Sequence, residues 1–329
     1  MTPPTDTRRA ALITGIGGQD GSYLAELLVA EGYDVAGVVL GAIDEDRPNL
    51  SAVSDQITLH NTDLTDAEAV DQLIAEFRPT EVYNLAAPSV VPASWDDPIA
   101  TINFMAGSVV CLLDAILKHS PDAHFLHASS SEIFRGGGSA PQNEPTTPRP
   151  ISPYGVGKLA GNGLVNSYRA RHGMHASSAI LYNHESPRRP LSFVPSKIVH
   201  GVAAIKAGKT DELVLGSLDS ERDWGFAGDY VDAMWKIITH DQSGDYVVAT
   251  GKKHSVADLV DRAFSLVDLD PAKHVRSDPR FARRGDEADL VGDPAHIAET
   301  IGWQASTSFD RLVEIMLESA LEQVGEANV

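Results

Sequence analysis

Cysteine is almost absent from this chain of 329 residues, which contains a single one, Cys111, within an apolar run at residues 109–113. One cysteine cannot form an internal disulfide, and its apolar surroundings predict a small core residue rather than a nucleophile. An uninterrupted run of about 18 apolar residues is also missing, so no membrane span is expected. The polar residues 1–9 do not resemble a secretory signal. These features predict a cytoplasmic protein.

Basic residues are scarce as well. The chain has 26 Lys and Arg against 46 Asp and Glu, a formal net charge of -20. This excess of negative charge argues against nucleic acid or an anionic membrane as a partner. Against that background, the arginine clusters at residues 188–189 and 276–284 are candidates for binding an anionic ligand, with solvated surface as the alternative. No residues are assigned to a metal ion.

A glycine-rich loop follows the first predicted strand, residues 10–14, and precedes an apolar helical stripe. Glycines at positions 15, 18 and 21 let the backbone turn tightly and bring the amides of a helix N-terminus up to a pyrophosphate. The order of strand, loop and helix therefore predicts dinucleotide binding, with a plain strand-to-helix turn as the alternative. The predicted contacts are Gly15, Gly18, Gln19, Asp20 and Gly21.

The second predicted strand ends at Leu40-Gly41. In dinucleotide-binding folds an acidic residue at this point binds the ribose of NAD, and an arginine accommodates the 2′-phosphate of NADP. Leu40 and Gly41 supply neither group. Asp44, Asp46 and Arg47 follow closely, but the sequence does not place them, and the choice of cofactor stays open on these residues alone.

Two further strand ends are expected at the carboxyl edge of the sheet, where open parallel sheets bind their ligands. Residues 60–64 have the pattern of a strand end near an adenine pocket, and residues 82–87 end in small side chains that allow a cofactor to pass closely. The predicted cofactor contacts here are Asp63, Leu64, Leu85, Ala86 and Ala87.

Strand and helix patterns alternate up to about residue 182. This alternation predicts an α/β fold with one doubly wound parallel sheet, Rossmann-like, and right-handed crossovers. The pattern loosens afterwards and predicts a second, smaller α/β lid domain. The expected division is residues 1–182 plus about 222–250 for the dinucleotide-binding domain, and about 183–221 plus 251–329 for the second domain.

Tyr154 and Lys158 are four residues apart and would share one face of a helix. An ammonium group beside a phenol stabilises the phenolate, which would make Tyr154 a general base near neutral pH. A neighbouring strand end would deliver the Ser130 hydroxyl and the Glu132 carboxylate. Since a Tyr-x-x-x-Lys spacing is common by chance, the prediction depends on these neighbours.

Longer segments carry a more specific signal. Residues 15–26 (GIGGQDGSYLAE), 183–189 (NHESPRR) and 222–225 (RDWG) accompany the glycine loop and the Ser130, Glu132, Tyr154 and Lys158 set. Together they resemble the GDP-mannose 4,6-dehydratase family of the extended short-chain dehydrogenase/reductase superfamily. The similarity extends over nearly the whole chain and fades after about residue 265.

The resemblance implies a lyase that binds NADP on the sheet and a GDP-sugar between the domains, and that converts GDP-mannose to GDP-4-keto-6-deoxymannose. Tyr154, held as phenolate by Lys158, would take the proton of the sugar 4-hydroxyl while C4 gives up a hydride. Glu132 would remove the C5 proton and help the 6-hydroxyl leave as water before the hydride returns to C6. Ser130 would hydrogen-bond the 4-oxygen.

The resemblance also implies binding roles for residues outside the glycine loop. Lys197, Arg222 and Arg283 would hold the GDP phosphates, Asn183 would lie near the sugar, and His184 and Arg189 near the cofactor. Ser89 is a further expected substrate contact. A homodimer or homotetramer is implied as well.

The chain departs from the family pattern at several positions. Leu40-Gly41 replaces an arginine pair that binds the NADP 2′-phosphate and a neighbouring subunit, so NAD is possible. Ser130 replaces a threonine, and Pro88 and Val90 replace a glutamine and a histidine. The register of the arginines at 280–284 is also open.

These departures leave other readings open. One is a 4,6-dehydratase for another nucleotide sugar, and another is a nucleotide-sugar epimerase or 4-keto reductase, which would not need Glu132. A catalytically silent nucleotide-binding module is a third, although such a module would be expected to lack the Tyr/Lys pair.

Overall fold

The computed structural model describes residues 9–43, 45–137, 140–278, 280 and 290–326. The chain forms two compact units, here called the sheet unit and the second unit. The sheet unit comprises Met1–Gly136, Thr147–Leu181 and Val231–Tyr246, and the second unit comprises Gly137–Thr146, Tyr182–Tyr230 and Val247–Val329. The predicted segment 222–250 is thus divided, because residues 231–246 cluster with the sheet unit and residues 222–230 and 247–250 with the second unit.

The sheet unit is built on a seven-stranded sheet. Its strands are β1 (Ala10–Thr14), β2 (Asp34–Val39), β3 (Ile57–Asn61), β4 (Glu81–Asn84), β5 (His124–Ser130), β6 (Ala176–Leu181) and β10 (Asp245–Val248). They lie in the order β10-β6-β5-β4-β1-β2-β3. Neighbouring strands from β3 to β6 pair in parallel, which confirms the predicted doubly wound sheet. Strands β1 and β4 are buried throughout, because helices cover the sheet.

Three helices of the sheet unit, α2 (Ala67–Phe77), α3 (Pro98–His119) and α4 (Pro153–His172), begin at side chains that satisfy their first amides. Asp66 accepts from two amides of α2, Asp97 from one of α3, and Ser152 from one of α4. Such capping side chains remove unpaired donors that a helix N-terminus otherwise leaves. The other two helices are α1 (Gln19–Ala30) and α6 (Ala227–Thr239), and the boundary between the units falls within α6.

Helix α3 is long and apolar enough, by length and composition, to cross a membrane. Eight of its residues are nevertheless buried, and it packs between α2 and α4. Its apolar side chains Val109, Leu112, Leu113 and Ile116 belong to the core of the sheet unit. The burial of this face accounts for the apolar composition, as in the core helix of a globular layer.

The second unit combines two small sheets with a helical core. Strands β7 (Asn183–Glu185), β9 (Glu221–Phe226) and β11 (Lys253–Ser255) form one sheet, and β8 (Leu213–Leu215) and β12 (Val275–Ser277) form the other. The helices are α5 (Val194–Lys206), α7 (Val256–Ser265), α8 (Pro271–His274), α9 (Ala295–Ile301) and α10 (Phe309–Glu326). Helices α5, α7 and α10 bury their apolar faces against one another.

Asp223, in the middle of β9, joins three segments of the second unit. Its fully buried carboxylate accepts hydrogen bonds from the Thr250 amide and hydroxyl and from the amides of Gly251 and Gly292, at 2.6–3.3 Å. Burial raises the pKa of this carboxyl group, and the hydrogen bonds from Thr250 oppose that shift. The aspartate of the RDWG segment therefore has a structural part in this unit.

We expect Asp223→Ala to lower the free energy of unfolding by at least about 3 kcal/mol, because three backbone amides lose their buried acceptor. Asp223→Asn retains one oxygen and should cost less. Urea unfolding would measure both changes. Asp261→Ala, at an exposed position of α7, is the matched control, and an equal loss in that variant would contradict the assigned role.

Candidate active site and cofactor pocket

The glycine loop is held in a conformation that side chains would disrupt. Gly15 has a φ of 71°, and a β-carbon on it would lie 3.0 Å from the backbone of Ala86. A β-carbon on Gly21 would lie 2.4 Å from the Gly15 carbonyl oxygen and 2.6 Å from the Ile16 α-carbon. Helix α1 can therefore start close behind β1, and Gly18 is its N-cap. This cradle fits a pyrophosphate at a helix N-terminus.

A cavity of about 620 Å³ opens beside this loop within the sheet unit. Its size is ordinary for a small-molecule or cofactor site. Five of the predicted cofactor contacts line it: Gly15, Gly18, Leu64, Ala86 and Ala87. Thr62 and Phe104, which were not predicted as contacts, also line the cavity. Arg47, whose position could not be predicted from the sequence, is a further lining residue.

The other predicted cofactor contacts of the sheet unit lie outside this lining. Gln19 and Gly21 are buried in the first turns of α1, and Gln19 donates to the Asp20 carboxylate at 3.0 Å. Asp63 accepts from the amide and hydroxyl of Thr65, and these bonds lower its carboxyl pKa. Leu85 directly follows β4, where its amide donates to the Thr14 hydroxyl.

Arg47 is folded back over the glycine loop. Its side chain passes close to Gly17, where a β-carbon would lie 3.5 Å from the arginine Cδ. Its guanidinium donates to the backbone carbonyls of Ala42, Ile43 and Glu45 at 2.9–3.2 Å. One side chain thereby shapes the loop that follows β2. These bonds are local, but the contact with Gly17 depends on the tertiary fold.

The predicted catalytic residues are arranged around the junction of β5 and α4. Ser130 ends β5, Glu132 follows in a single turn of 3₁₀ helix (Ser131–Phe134), and Tyr154 and Lys158 lie in α4. The Ser130 hydroxyl accepts from the Glu132 amide at 3.2 Å. The first turn of α4 packs against the same turn, since a β-carbon on Gly155 would lie 2.8 Å from the Glu132 carbonyl oxygen.

Lys158 is buried beneath the Tyr154 ring, with 5.8 Å between its Nζ and the ring centroid. The ammonium donates to the Ala128 carbonyl in β5 at 2.7 Å. Burial lowers the lysine pKa to about 8, while the charge of Asp20 acts in the opposite direction. The lysine is thus in place to stabilise a phenolate on Tyr154.

Arg135 is a site residue that the sequence did not reveal. It is buried, and its guanidinium faces both carboxylate oxygens of Glu132, with Nε at 3.2 and 3.3 Å and Nη2 at 2.5 Å. A guanidinium in this geometry orients a carboxylate and stabilises its charge. The spacing of three residues was visible in the sequence, but such spacing is common on surfaces, and only the burial distinguishes this pair.

A row of buried polar side chains behind Lys158 was likewise not predicted from the sequence. The Thr14 hydroxyl donates to the Asn84 side chain at 2.9 Å, and Asn84 is 3.3 Å from Nδ1 of His127. Adjacent strand registers bring these three residues side by side. Burial first, and then the Lys158 charge, lower the His127 pKa to about 3, so this imidazole is neutral at physiological pH. The sequence contained one signal for this row, namely a polar residue inside each of three predicted core strands.

The two predicted cofactor residues of the second unit, His184 and Arg189, have partners inside that unit. Nδ1 of His184 is 2.7 Å from the Tyr182 carbonyl oxygen, and its ring stacks on Tyr230. Arg189 forms an ion pair of 2.9 Å with Glu185, and its guanidinium lies over the Phe193 ring.

Three predicted substrate-binding residues also belong to the second unit: Asn183, Lys197 and Arg222. Asn183 begins β7 and is partly exposed. Lys197 donates to the Val214 carbonyl at 2.7 Å, and the buried Arg222 donates to the Glu221 carbonyl at 2.5 Å. Ser89, in the sheet unit, is exposed after β4, and Arg283 lies outside the described residues.

The doubly wound sheet, the glycine cradle and the Ser130, Tyr154 and Lys158 set define the short-chain dehydrogenase/reductase class, in its extended form. A family model described as GDP-mannose 4,6 dehydratase matches residues 12–316. The chain belongs to this family, which confirms the resemblance seen in the sequence. GDP-mannose 4,6 dehydratase 2 of Arabidopsis thaliana is 39% identical over 329 residues, covering 96% of this chain and 88% of the relative.

Solved structures show the same fold. A protein of Burkholderia cenocepacia assigned as an epimerase superposes with a TM-score of 0.84 at 27% identity, over 96% of this chain and 99% of that one. A dTDP-glucose 4,6-dehydratase of Streptomyces venezuelae, solved with NAD, superposes with a TM-score of 0.84 at 19% identity, over 96% and 98%. The predicted fold class is confirmed.

The neutral His127 generates a prediction for stability at acid pH. The unfolded chain takes up a proton on this residue below about pH 6.5, whereas the folded chain does so only near pH 3. Stability is therefore lost as pH falls through this window, by about 2 kcal/mol between pH 6.5 and pH 5. Urea unfolding at several pH values should show a shallower dependence in His127→Gln. His172→Gln, at an exposed position of α4, should keep the original slope.

Proposed function

We propose that this protein is a nucleotide-sugar 4,6-dehydratase that acts on GDP-mannose and releases GDP-4-keto-6-deoxymannose and water. The observation that carries the proposal is the junction of β5 and α4, where Ser130, Glu132, Tyr154 and Lys158 come together in a chain of this family. A hydroxyl, phenol and ammonium would serve a simple ketone reductase, but the added carboxylate suits the removal of a carbon-bound proton.

The glycine cradle and its cavity support a nicotinamide dinucleotide as the cofactor. When bound, this group would accept a hydride from sugar C4 and return it to C6, so that no cofactor is consumed overall. NADP was the cofactor implied by the family resemblance, with NAD as the alternative. The choice depends on the charge that the protein presents at the ribose end of the cavity.

Tyr154 would remove the proton from the sugar 4-hydroxyl. The buried Lys158 ammonium, 5.8 Å from the ring centroid, favours the phenolate through its charge. The Ser130 hydroxyl would donate to the 4-oxygen as it becomes a carbonyl. The 4-ketone in turn makes the C5 proton acidic, which prepares the second half of the reaction.

Glu132 would remove the C5 proton and transfer a proton to the departing 6-hydroxyl. The bidentate contact with Arg135 holds its carboxylate in one orientation. We therefore assign Arg135 as a positioning residue for Glu132. A carboxylate held in this way loses little conformational freedom when the substrate binds.

The remaining binding roles stay predictions from the family resemblance. Lys197, Arg222 and Arg283 are assigned to the GDP phosphates, and Asn183 and Ser89 to the sugar. His184 and Arg189 are assigned to the cofactor. In functional terms, the sheet unit would bind the dinucleotide and the second unit the nucleotide of the substrate.

We further propose a cytoplasmic homo-oligomer, a dimer or a tetramer. Ile99 and Ile102 are exposed in the first turns of α3, with exposed fractions of 74% and 36%, and Trp95, which is 63% exposed, ends the 3₁₀ turn that precedes this helix. The two isoleucines are three residues apart and therefore lie on one side of the helix. An exposed apolar stripe of this kind is typical of a surface that another protein chain covers.

The dehydratase reaction is tested by incubating the purified chain with GDP-mannose and following the products by mass spectrometry. We expect loss of one water without net change of cofactor. Glu132→Gln should reduce the rate of water loss at least about 100-fold, because the C5 base is gone. Glu68→Gln, at an exposed position of α2, serves as the control.

Two outcomes would decide against the proposal. Net consumption of reduced cofactor would identify a reductase instead. A GDP-mannose signal that stays unchanged with either NAD or NADP present would exclude this substrate, and the screen would move to other nucleotide sugars.

The positioning role of Arg135 makes a separate prediction. Arg135→Gln should lower kcat about tenfold with KM nearly unchanged, since it removes orientation rather than binding. Deuterium incorporation at C5 in heavy water should fall in parallel, and Arg135→Lys should recover part of both. Arg171→Gln, at an exposed position of α4, is the control. Undiminished C5 exchange in Arg135→Gln would refute the role.

A further inference from the structure

We propose that Glu45 binds the adenosine ribose hydroxyls of the cofactor and thereby makes this chain an NAD enzyme. The inference rests on the proposed function, since it concerns the same dinucleotide cavity. It goes beyond that function by naming the residue that selects the cofactor. The feature that suggests it is the conformation of the segment after β2.

The Glu45 carboxylate folds back to the end of β2. Gly41, two residues beyond the strand, has a φ of 95°, and a β-carbon on it would lie 3.0 Å from Oε2 of Glu45. The carboxylate therefore occupies space beside the glycine where a strand-end side chain would otherwise project. In dinucleotide-binding folds, an acid at this place accepts hydrogen bonds from the ribose of NAD. Here the acid comes from the following loop.

Arg47 keeps the carboxylate in this place. Its Nη2 lies 3.5 Å from Oε2 of Glu45, and only 13% of the arginine side chain is exposed. The same guanidinium donates to the carbonyls of Ala42, Ile43 and Glu45. With five N–H groups available to an arginine, most of its donors serve the loop itself. Arg47 therefore acts as a support for Glu45, and a phosphate would have to displace these bonds.

The charge of the cavity agrees with this assignment. Glu45 and Asp46 both line it, against the single guanidinium of Arg47. Leu40, the residue after β2, lines it with an apolar side chain that is 67% exposed. A 2′-phosphate would bring further negative charge to this end of the cavity, where repulsion by the carboxylates opposes its binding. The hydroxyls of an unphosphorylated ribose would instead find the Glu45 carboxylate as a hydrogen-bond acceptor.

The first test identifies the nucleotide that the full chain retains. Acid release from the purified protein followed by mass spectrometry should yield NAD rather than NADP. The stripped protein is then titrated with NADH and with NADPH, and binding is followed by nicotinamide fluorescence. We expect NADH to bind at least about tenfold more tightly. NADPH binding as tightly as NADH, or more so, would overturn the inference.

Variants separate the role of Glu45 from that of Arg47. Glu45→Gln should weaken NADH about tenfold and leave NADPH unchanged or improved. Adding Leu40→Arg to it should make NADPH the preferred ligand, because an arginine at this place suits the 2′-phosphate. Glu31→Gln, at an exposed position after α1, should change neither affinity. A selective loss of NADPH binding in Arg47→Gln would show that Arg47 binds the phosphate, contrary to the inference.

The outcomes also distinguish this inference from the proposed function. Tight NADPH binding together with water loss from GDP-mannose would refute the role of Glu45 and leave the dehydratase intact. A chain that binds NADH with the expected preference but leaves GDP-mannose unchanged would retain the role of Glu45 and lose the dehydratase. Binding of neither nucleotide would refute both.

Discussion

The hydrogen bond from the buried Lys158 ammonium to the Ala128 carbonyl is the contact on which the candidate catalytic arrangement depends. A buried ammonium must find an oxygen acceptor, because an unpaired charge in the interior costs several kcal/mol or more. This bond ties α4 to β5. It holds Tyr154, one helical turn before Lys158, near the end of β5, where Ser130 lies and where the turn that carries Glu132 begins. The fold and the chemistry therefore depend on the same contact.

The buried charge of Lys158 affects the protonation of the histidine beside it. His127 stays neutral because it is buried beside the ammonium, and the chain from Thr14 through Asn84 gives it a hydrogen-bond partner. Burial brings the Lys158 pKa down to about 8. Groups with shifted pKa values cluster at functional sites, since burial and fixed charges prepare them for proton transfer. The buried neutral imidazole of His127 makes the folded protein less stable at acid pH.

Much of the fold could be predicted from local patterns. The apolar residues 10–14, the glycines at 15, 18 and 21, and the alternation of strands and helices depend on periodicity and turn chemistry. Lys158 beneath Tyr154 follows from helix spacing alone. Arg135 could not be predicted, since its pairing with Glu132 matters only because both side chains are shielded from water. The boundary near residue 231 was equally hidden, because it falls within a continuous helix, α6.

The sequence by itself determined the family and the doubly wound sheet and predicted the catalytic set, because these depend on residue types at short, regular spacings. Tertiary structure decided which polar groups share a buried environment. Strand register alone brings Thr14, Asn84 and His127 into one row, and Leu40, Glu45 and Arg47 acquire a common role only once the loop after β2 folds over Gly17. Electrostatic effects depend on distance and burial rather than on order along the chain. For that reason, the selection of a cofactor could be inferred only from the folded loop.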